Sequence, residues 1–224
     1  MLRRVTEEYI ANSHDVADYV AAAHGVSKNR VTVIRNGIDR SVFFPIENGD
    51  RDGPARLGTV GRLIPEKGLD VLLTAMPRIL ERQPVLLTVV GDGPERAVLE
   101  RRARGLPVVF AGYKHEPSEI ASFLRSIDVF VMPSRWEGLP NAMLEALACG
   151  TPVVATDVSG IAEAAEGNAL LVPPDEPVAL AGAVCRALAS PTRPTVSTNS
   201  FDDVATAHLA VFERAFARGI AARR

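Results

Sequence analysis

The sequence predicts an α/β protein built on a doubly wound, Rossmann-like parallel sheet. Two observations carry this. Short β-branched apolar runs alternate with longer helical patterns along most of the 224 residues, the order expected of strands joined by crossover helices. The segment Ile127–Met132 is apolar at nearly every position, as befits a parallel strand covered on both faces.

In chain order, the first pattern is an amphipathic helix over Glu7–Ala23, followed by a strand at Val31–Ile34 and a turn signal at Asn36-Gly37. The next strands fall at Arg56–Val60, Leu86–Val90, Val108–Ala111, Val129–Met132, Val153–Ala155 and Leu170–Val172. Between and after them, helical spacing covers Leu69–Glu81, Glu95–Arg104, Pro117–Ser126, Asn141–Cys149 and Val178–Ala189, and a last helix covers Asp202–Arg218. Asp202 and Asp203 suit its first turn, where the helix dipole favours negative charge. The polar stretches Glu47–Pro54 and Pro191–Ser200 read as linkers. The expected divisions are therefore 1–45, 46–198 and 199–224.

Composition narrows the function classes. With 47% hydrophobic and 23% charged residues, the balance is that of an ordinary globular protein. A net charge of −2 gives no electrostatic case for nucleic acid or an anionic membrane. No apolar run reaches transmembrane length and no signal-peptide core is present, so a cytoplasmic setting is expected. Cys149 and Cys185 lie in apolar helical patterns and read as buried reduced thiols. His14, His24, His115 and His208 show no metal spacing, so no metal is expected.

The densest chemistry lies in Pro133-Ser134-Arg135-Trp136-Glu137-Gly138-Leu139-Pro140 and the following Asn141–Gly150. It reads as strand, loop and helix, with Pro140 at the helix start and Gly150 just past its end. On one continuous helix, Glu137 and Glu145 would be rotated roughly 80° apart. The intervening loop lets both face one cleft at the carboxyl end of the strand, where open α/β sheets bind ligands.

This Glu-x7-Glu run resembles the donor-sugar motif of GT-B-fold retaining glycosyltransferases, group 1 (family 4). The blocks "VIRNGIDRSVFFP" (33–45), "GTVGRLIPEKGLDVLLTA" (58–75), "VVGDGP" (89–94) and "FAGY" (110–113) follow that family's order. The resemblance implies the donor-binding, carboxyl-terminal half of the fold. It further implies that 1–45 corresponds to the end of an amino-terminal domain plus a hinge, and the last helix to one that crosses back to that domain. Most of the amino-terminal domain, which binds the acceptor, has no counterpart here. A fragment, a truncated gene product and one half of a split enzyme are the three readings of this.

By the same resemblance, Gly61, Arg62 and Lys67 meet the diphosphate of a UDP- or GDP-linked sugar, the two cations stabilising the leaving group. Glu145 accepts both ribose hydroxyls. A charge in so apolar a helix is seldom buried without a partner or ligand. Glu137, Gly138 and Leu139 face the donor sugar, with free amides at the helix start as donors. Arg62, Lys67 and Glu137 are thus the catalytic candidates. Gly112 and Tyr113 approach the base, although Tyr113 reads equally as an exposed loop residue. Gly91 could line the base pocket, and turn formation alone also explains it. Trp136 reads equally as cleft wall and packing residue. The donor is a nucleoside-diphosphate sugar, with no further cofactor required. The acceptor is a sugar, lipid or small molecule. Two competing readings are a nucleotide-sugar-binding module inactive without a partner domain, and a nucleotide-sugar epimerase of the same fold.

Overall fold

In the computed structural model, which describes residues 8–46, 52–191, 194 and 199–221, the first elements are β1 (Tyr9–Ala11), α1 (His14–His24) and β2 (Val31–Val33). The predicted helix over Glu7–Ala23 is therefore interrupted. Ser13 is buried in extended backbone (φ −147°, ψ 163°), and its hydroxyl accepts from the Val16 N–H at 3.2 Å. A serine in this role starts a helix. It leaves Tyr9–Ala11 free to pair in parallel with Val31–Val33.

The remaining elements alternate: β3 (Ala55–Val60), α2 (Leu69–Leu80), β4 (Val85–Val90), α3 (Arg96–Arg102), β5 (Val108–Gly112), α4 (Pro117–Ser126), β6 (Val129–Met132), α5 (Asn141–Ala148), β7 (Val153–Thr156), α6 (Ile161–Ala165), β8 (Ala169–Val172), α7 (Pro177–Ala189) and α8 (Phe201–Ala221). Element ends differ from the sequence expectation by no more than three residues, α4 and β6 matching it at both ends, and α6 is additional. Five residues are too short to show a helical period.

Strands β3 to β8 form one parallel sheet in the order β5-β4-β3-β6-β7-β8. This is the doubly wound α/β class expected from the sequence. The chain moves outward from β3 to β5, then returns to the other side of β3 with β6. Leu57 and Gly58 stand opposite Val129 and Phe130 at that junction.

Helices α2 and α7 pack side by side over one face, where Leu57, Leu87, Val129, Val131 and Val154 meet Leu72, Met76, Ile79, Leu180 and Val184 in a single buried cluster. Helices α4, α5 and α6 form a second row. Under α4, Gly58 makes room: a Cβ there would lie 2.5 Å from the Ile127 side chain and 2.7 Å from Phe123. Pairing in close layers of this kind is what buries both faces of a parallel sheet.

The described residues fall into two compact units. One joins the residues up to Asp39 with those from Asn199 onward. Within it, Ile38 N–H donates to Asn199 O at 2.8 Å, and Ser200 and Asp203 cap α8 reciprocally. Arg214 donates to Thr32 Oγ1 at 3.2 Å, and Arg218 pairs with Glu8. The other unit runs from Arg40 to Pro194 and contains the six-stranded sheet. Its first segment is held down by Arg125, which donates to Val42 O at 3.1 Å and lies over the Phe44 ring. Among the described residues no helix is long and apolar enough to cross a membrane.

Candidate functional site

Where strand order reverses, the loops leaving adjacent strands diverge and open a crevice at their carboxyl ends. Here the two strands are β3 and β6. Gly61, Arg62 and Lys67 from the loop after β3 line this crevice with Pro133 and Ser134 from the loop after β6.

The rim is built by close backbone contacts. Gly61 N–H donates to Val90 O at 3.0 Å, and Gly91 N–H to Gly112 O at 2.8 Å. Gly91, Gly61 and Gly112 thus sit on one continuous ledge over β3, β4 and β5. Gly91 has φ +135°, and a Cβ there would lie 1.9 Å from Gly61 O. At the other side, Gly160 (φ +79°) lets the loop after β7 close on the loop after β6: its Cβ would lie 1.4 Å from Gly138 O. Both positions exclude any side chain.

Across the crevice, Lys67 Nζ lies 2.5 Å from Glu137 Oε1. The same oxygen accepts the Ser134 hydroxyl at 2.7 Å, while Thr156 Oγ1 donates to Ser134 O. Glu137 is only 7% exposed, and Ser134 and Thr156 are each 1% exposed. A buried carboxylate needs such partners. Both of its side-chain bonds fall on Oε1. Arg62 is exposed, and its side chain makes no hydrogen bond or ion pair among the described residues.

Helix α5 begins at Asn141, as the sequence suggests, with Pro140 as its cap and not its first residue. It carries Glu145 in a half-buried position, its carboxylate making no hydrogen bond or ion pair among the described residues. Burial pushes the Glu145 carboxyl above its ordinary range. Leu139 is buried beneath the loop, whereas Trp136 is largely exposed. Tyr113 is also exposed and meets the His115 ring edge-on at 4.8 Å. Of the expected site residues only Gly61, Arg62 and Lys67 line the small crevice itself; Glu137, Glu145 and Tyr113 lie outside its lining.

Arg135 is the residue that sequence reasoning missed. Its Nη1 and Nη2 each lie 2.9 Å from the two Asp70 carboxylate oxygens, and Nε lies 2.7 Å from Asp175 Oδ1. The guanidinium holds the Asp70 carboxyl below its ordinary range. The sequence signal was an arginine inside the densest motif; its partners stand 65 and 40 residues away.

A second hollow opens at the opposite edge of the sheet, among Gln83, Asp128, Cys149 and Thr151. It contains none of the expected site residues. Burial pushes the Cys149 thiol up to about 11, so it is no nucleophile at neutral pH. Among the described residues no group of three His, Cys, Asp or Glu is placed to hold a metal ion.

Residues 54–190 match the family model described as glycosyl transferases group 1. The chain is 34% identical over 168 residues to the glycogen synthase of Mycobacterium tuberculosis, covering 73% of this chain and 40% of that protein. It is 32% identical over 212 residues to the GDP-mannose-dependent alpha-(1-6)-phosphatidylinositol dimannoside mannosyltransferase of the same species, covering 85% and 55%. The chain thus spans about half the length of the curated relatives it matches. Among solved structures, sucrose-phosphate synthase from Thermosynechococcus elongatus superposes with a TM-score of 0.77 at 25% identity, over 97% of this chain and 61% of that one. HepE from Anabaena, solved with UDP-glucose, shares the fold with a TM-score of 0.74 at 23% identity, over 93% and 63%.

Proposed function

The chain belongs to the group 1 glycosyl transferases, and from that premise we propose that its six-stranded unit binds a nucleoside-diphosphate sugar for transfer to an acceptor hydroxyl with retained anomeric configuration. The observation that carries the reading is the pairing of Lys67, which with Arg62 lines the crevice from the loop after β3, with Glu137 from the loop after β6.

In this reading the diphosphate lies against Arg62 and Lys67. The bond from the anomeric carbon to the diphosphate oxygen breaks, and negative charge grows on the leaving group. Arg62 offers a planar fork and Lys67 a point charge. An ammonium has three donor hydrogens, so Lys67 can keep Glu137 while holding a phosphate oxygen. Glu137 has Oε2 left for a sugar hydroxyl, beside the backbone of Gly138 and Leu139. Glu145 takes the ribose hydroxyls, which supply the donors its carboxylate lacks. Gly91, Gly112 and Tyr113 form the base end of the ledge. The acceptor hydroxyl gives its proton to the departing diphosphate on the same face. No cofactor beyond the donor is invoked.

The relatives' names carry both bases, UDP with HepE and GDP with the mannosyltransferase, which supports a UDP- or GDP-linked donor. We assign residues 1–45 to the end of an amino-terminal domain plus hinge, 46–198 to the donor-binding domain, and 199–224 to a helix that crosses back to the amino-terminal domain. Isothermal titration of the chain with UDP, GDP and ADP tests this. One nucleotide should bind, and Arg62→Ala and Glu145→Ala should each weaken it about ten-fold or more, the worth of one charged hydrogen bond. Absence of binding by all three would overturn the reading.

A further inference from the structure

We propose that Arg135 is a positioning residue that fixes the separation of Lys67 and Glu137, and thereby sets affinity for the diphosphate-sugar part of a donor rather than for its nucleoside. The proposal rests on the donor-binding reading above.

Arg135 joins three loops that leave the same edge of the sheet. To the loop after β3 it gives an Nη1 bond to Pro65 O at 2.5 Å and a backbone N–H bond to Glu66 O at 2.8 Å, and to the first turn of α2, which that loop enters, the bidentate bonds to Asp70. To the loop after β8 it gives the bond to Asp175. Asp175 sits at φ +59°, a backbone region unfavourable to a residue with a Cβ, and the guanidinium bond anchors it there. Arg102, 3.6 Å from Asp70, brings the cluster to two positive and two negative charges.

The placement matters more than the charge. Lys67 lies between the residues Arg135 grips at one end, Pro65, Glu66 and Asp70. Glu137 lies two residues beyond Arg135 at the other. The Lys67–Glu137 pair therefore spans the same two loops that Arg135 locks. A flexible ammonium cannot reproduce the planar, bidentate grip on Asp70. Without it, the two loops are held together by the backbone bond from Arg135 to Glu66 and by the Lys67–Glu137 pair, which a diphosphate must share.

The test uses the 224-residue chain and its Arg135→Ala, Arg135→Lys and Asp175→Ala variants. Probes are UDP-glucose and UMP, with GDP-mannose and GMP run in parallel. In Arg135→Ala the ratio of sugar-nucleotide to monophosphate affinity should fall about ten-fold, with Arg135→Lys close behind and Asp175→Ala less affected. Without ligand, amide exchange over 66–67 and 134–139 should quicken while β4 is unchanged. Equal weakening of both ligands would mark a merely structural arginine and overturn the proposal, as would unchanged exchange in the two loops. Should the unmutated chain bind none of the four, the donor reading falls along with the affinity claim. The exchange result then decides the loop coupling alone.

Discussion

Lys67 and Glu137 stand 70 residues apart in the chain and 2.5 Å apart in the fold, and the oxygen that joins them is also fixed by Ser134. Removing one partner strands the other. Lys67→Ala should leave a buried carboxylate with a single hydroxyl donor and cost about 2–3 kcal/mol of stability. Glu137→Gln, which keeps an acceptor for both, should cost about half of that. Urea unfolding at neutral pH measures the difference, and equal losses would contradict the network.

Glu145 carries the opposite expectation. Its raised carboxyl means that ionisation is resisted by burial. Protons bind the folded state more readily than the unfolded one, so its contribution to stability declines as pH rises through the folded value. Glu145→Gln should therefore raise stability at pH 7 by roughly 0.5–1 kcal/mol. The same change should weaken nucleotide binding about ten-fold. Thermal unfolding and titration of one variant read both.

Asp70 titrates the other way. With its folded value depressed by Arg135, its stabilisation is complete above the ordinary aspartate range and is lost as pH falls through the lower, folded value. Asp70→Asn should lower stability by about 1 kcal/mol at pH 7, and the gap to the unmutated chain should close as pH falls through the depressed, folded value of Asp70. Unfolding midpoints across pH 2–7 would show it.

Two glycines separate backbone conformation from crowding. Gly105 and Gly160 have φ of +81° and +79°, but a Cβ at Gly105 meets nothing within 4 Å, while at Gly160 it meets Gly138 O. Gly105→Ala should cost about 1 kcal/mol. Gly160→Ala must also push apart the loops after β6 and β7, and should cost about 3 kcal/mol or more and impair nucleotide binding. Parallel denaturation curves decide it.

What could be read from the sequence was local. The strand β6 and helix α5 announce themselves by a continuous apolar run, then Pro140 and Gly150 at the helix ends. Strand β1 does not, because Tyr9–Ala11 sits inside a helical pattern and becomes a strand only through pairing with Val31–Val33. Lys67 and Glu137 could be assigned to one cleft but were expected to face ligand groups, not each other. Arg135 lay in plain view within the motif. Asp70 and Asp175, which give it meaning, lie on other loops, and no local rule links them.

The register that sets Leu57 and Gly58 against Val129 and Phe130 also bears on how the chain comes to be made. The centre of the sheet closes only after some seventy intervening residues have been synthesised, so the crevice is absent from any shorter nascent chain. Such long-range closure slows folding. A nucleotide sugar that binds only the finished crevice would then act as a folding ligand, drawing the population forward by mass action. The cell's supply of donor would govern how much of the protein survives its own maturation.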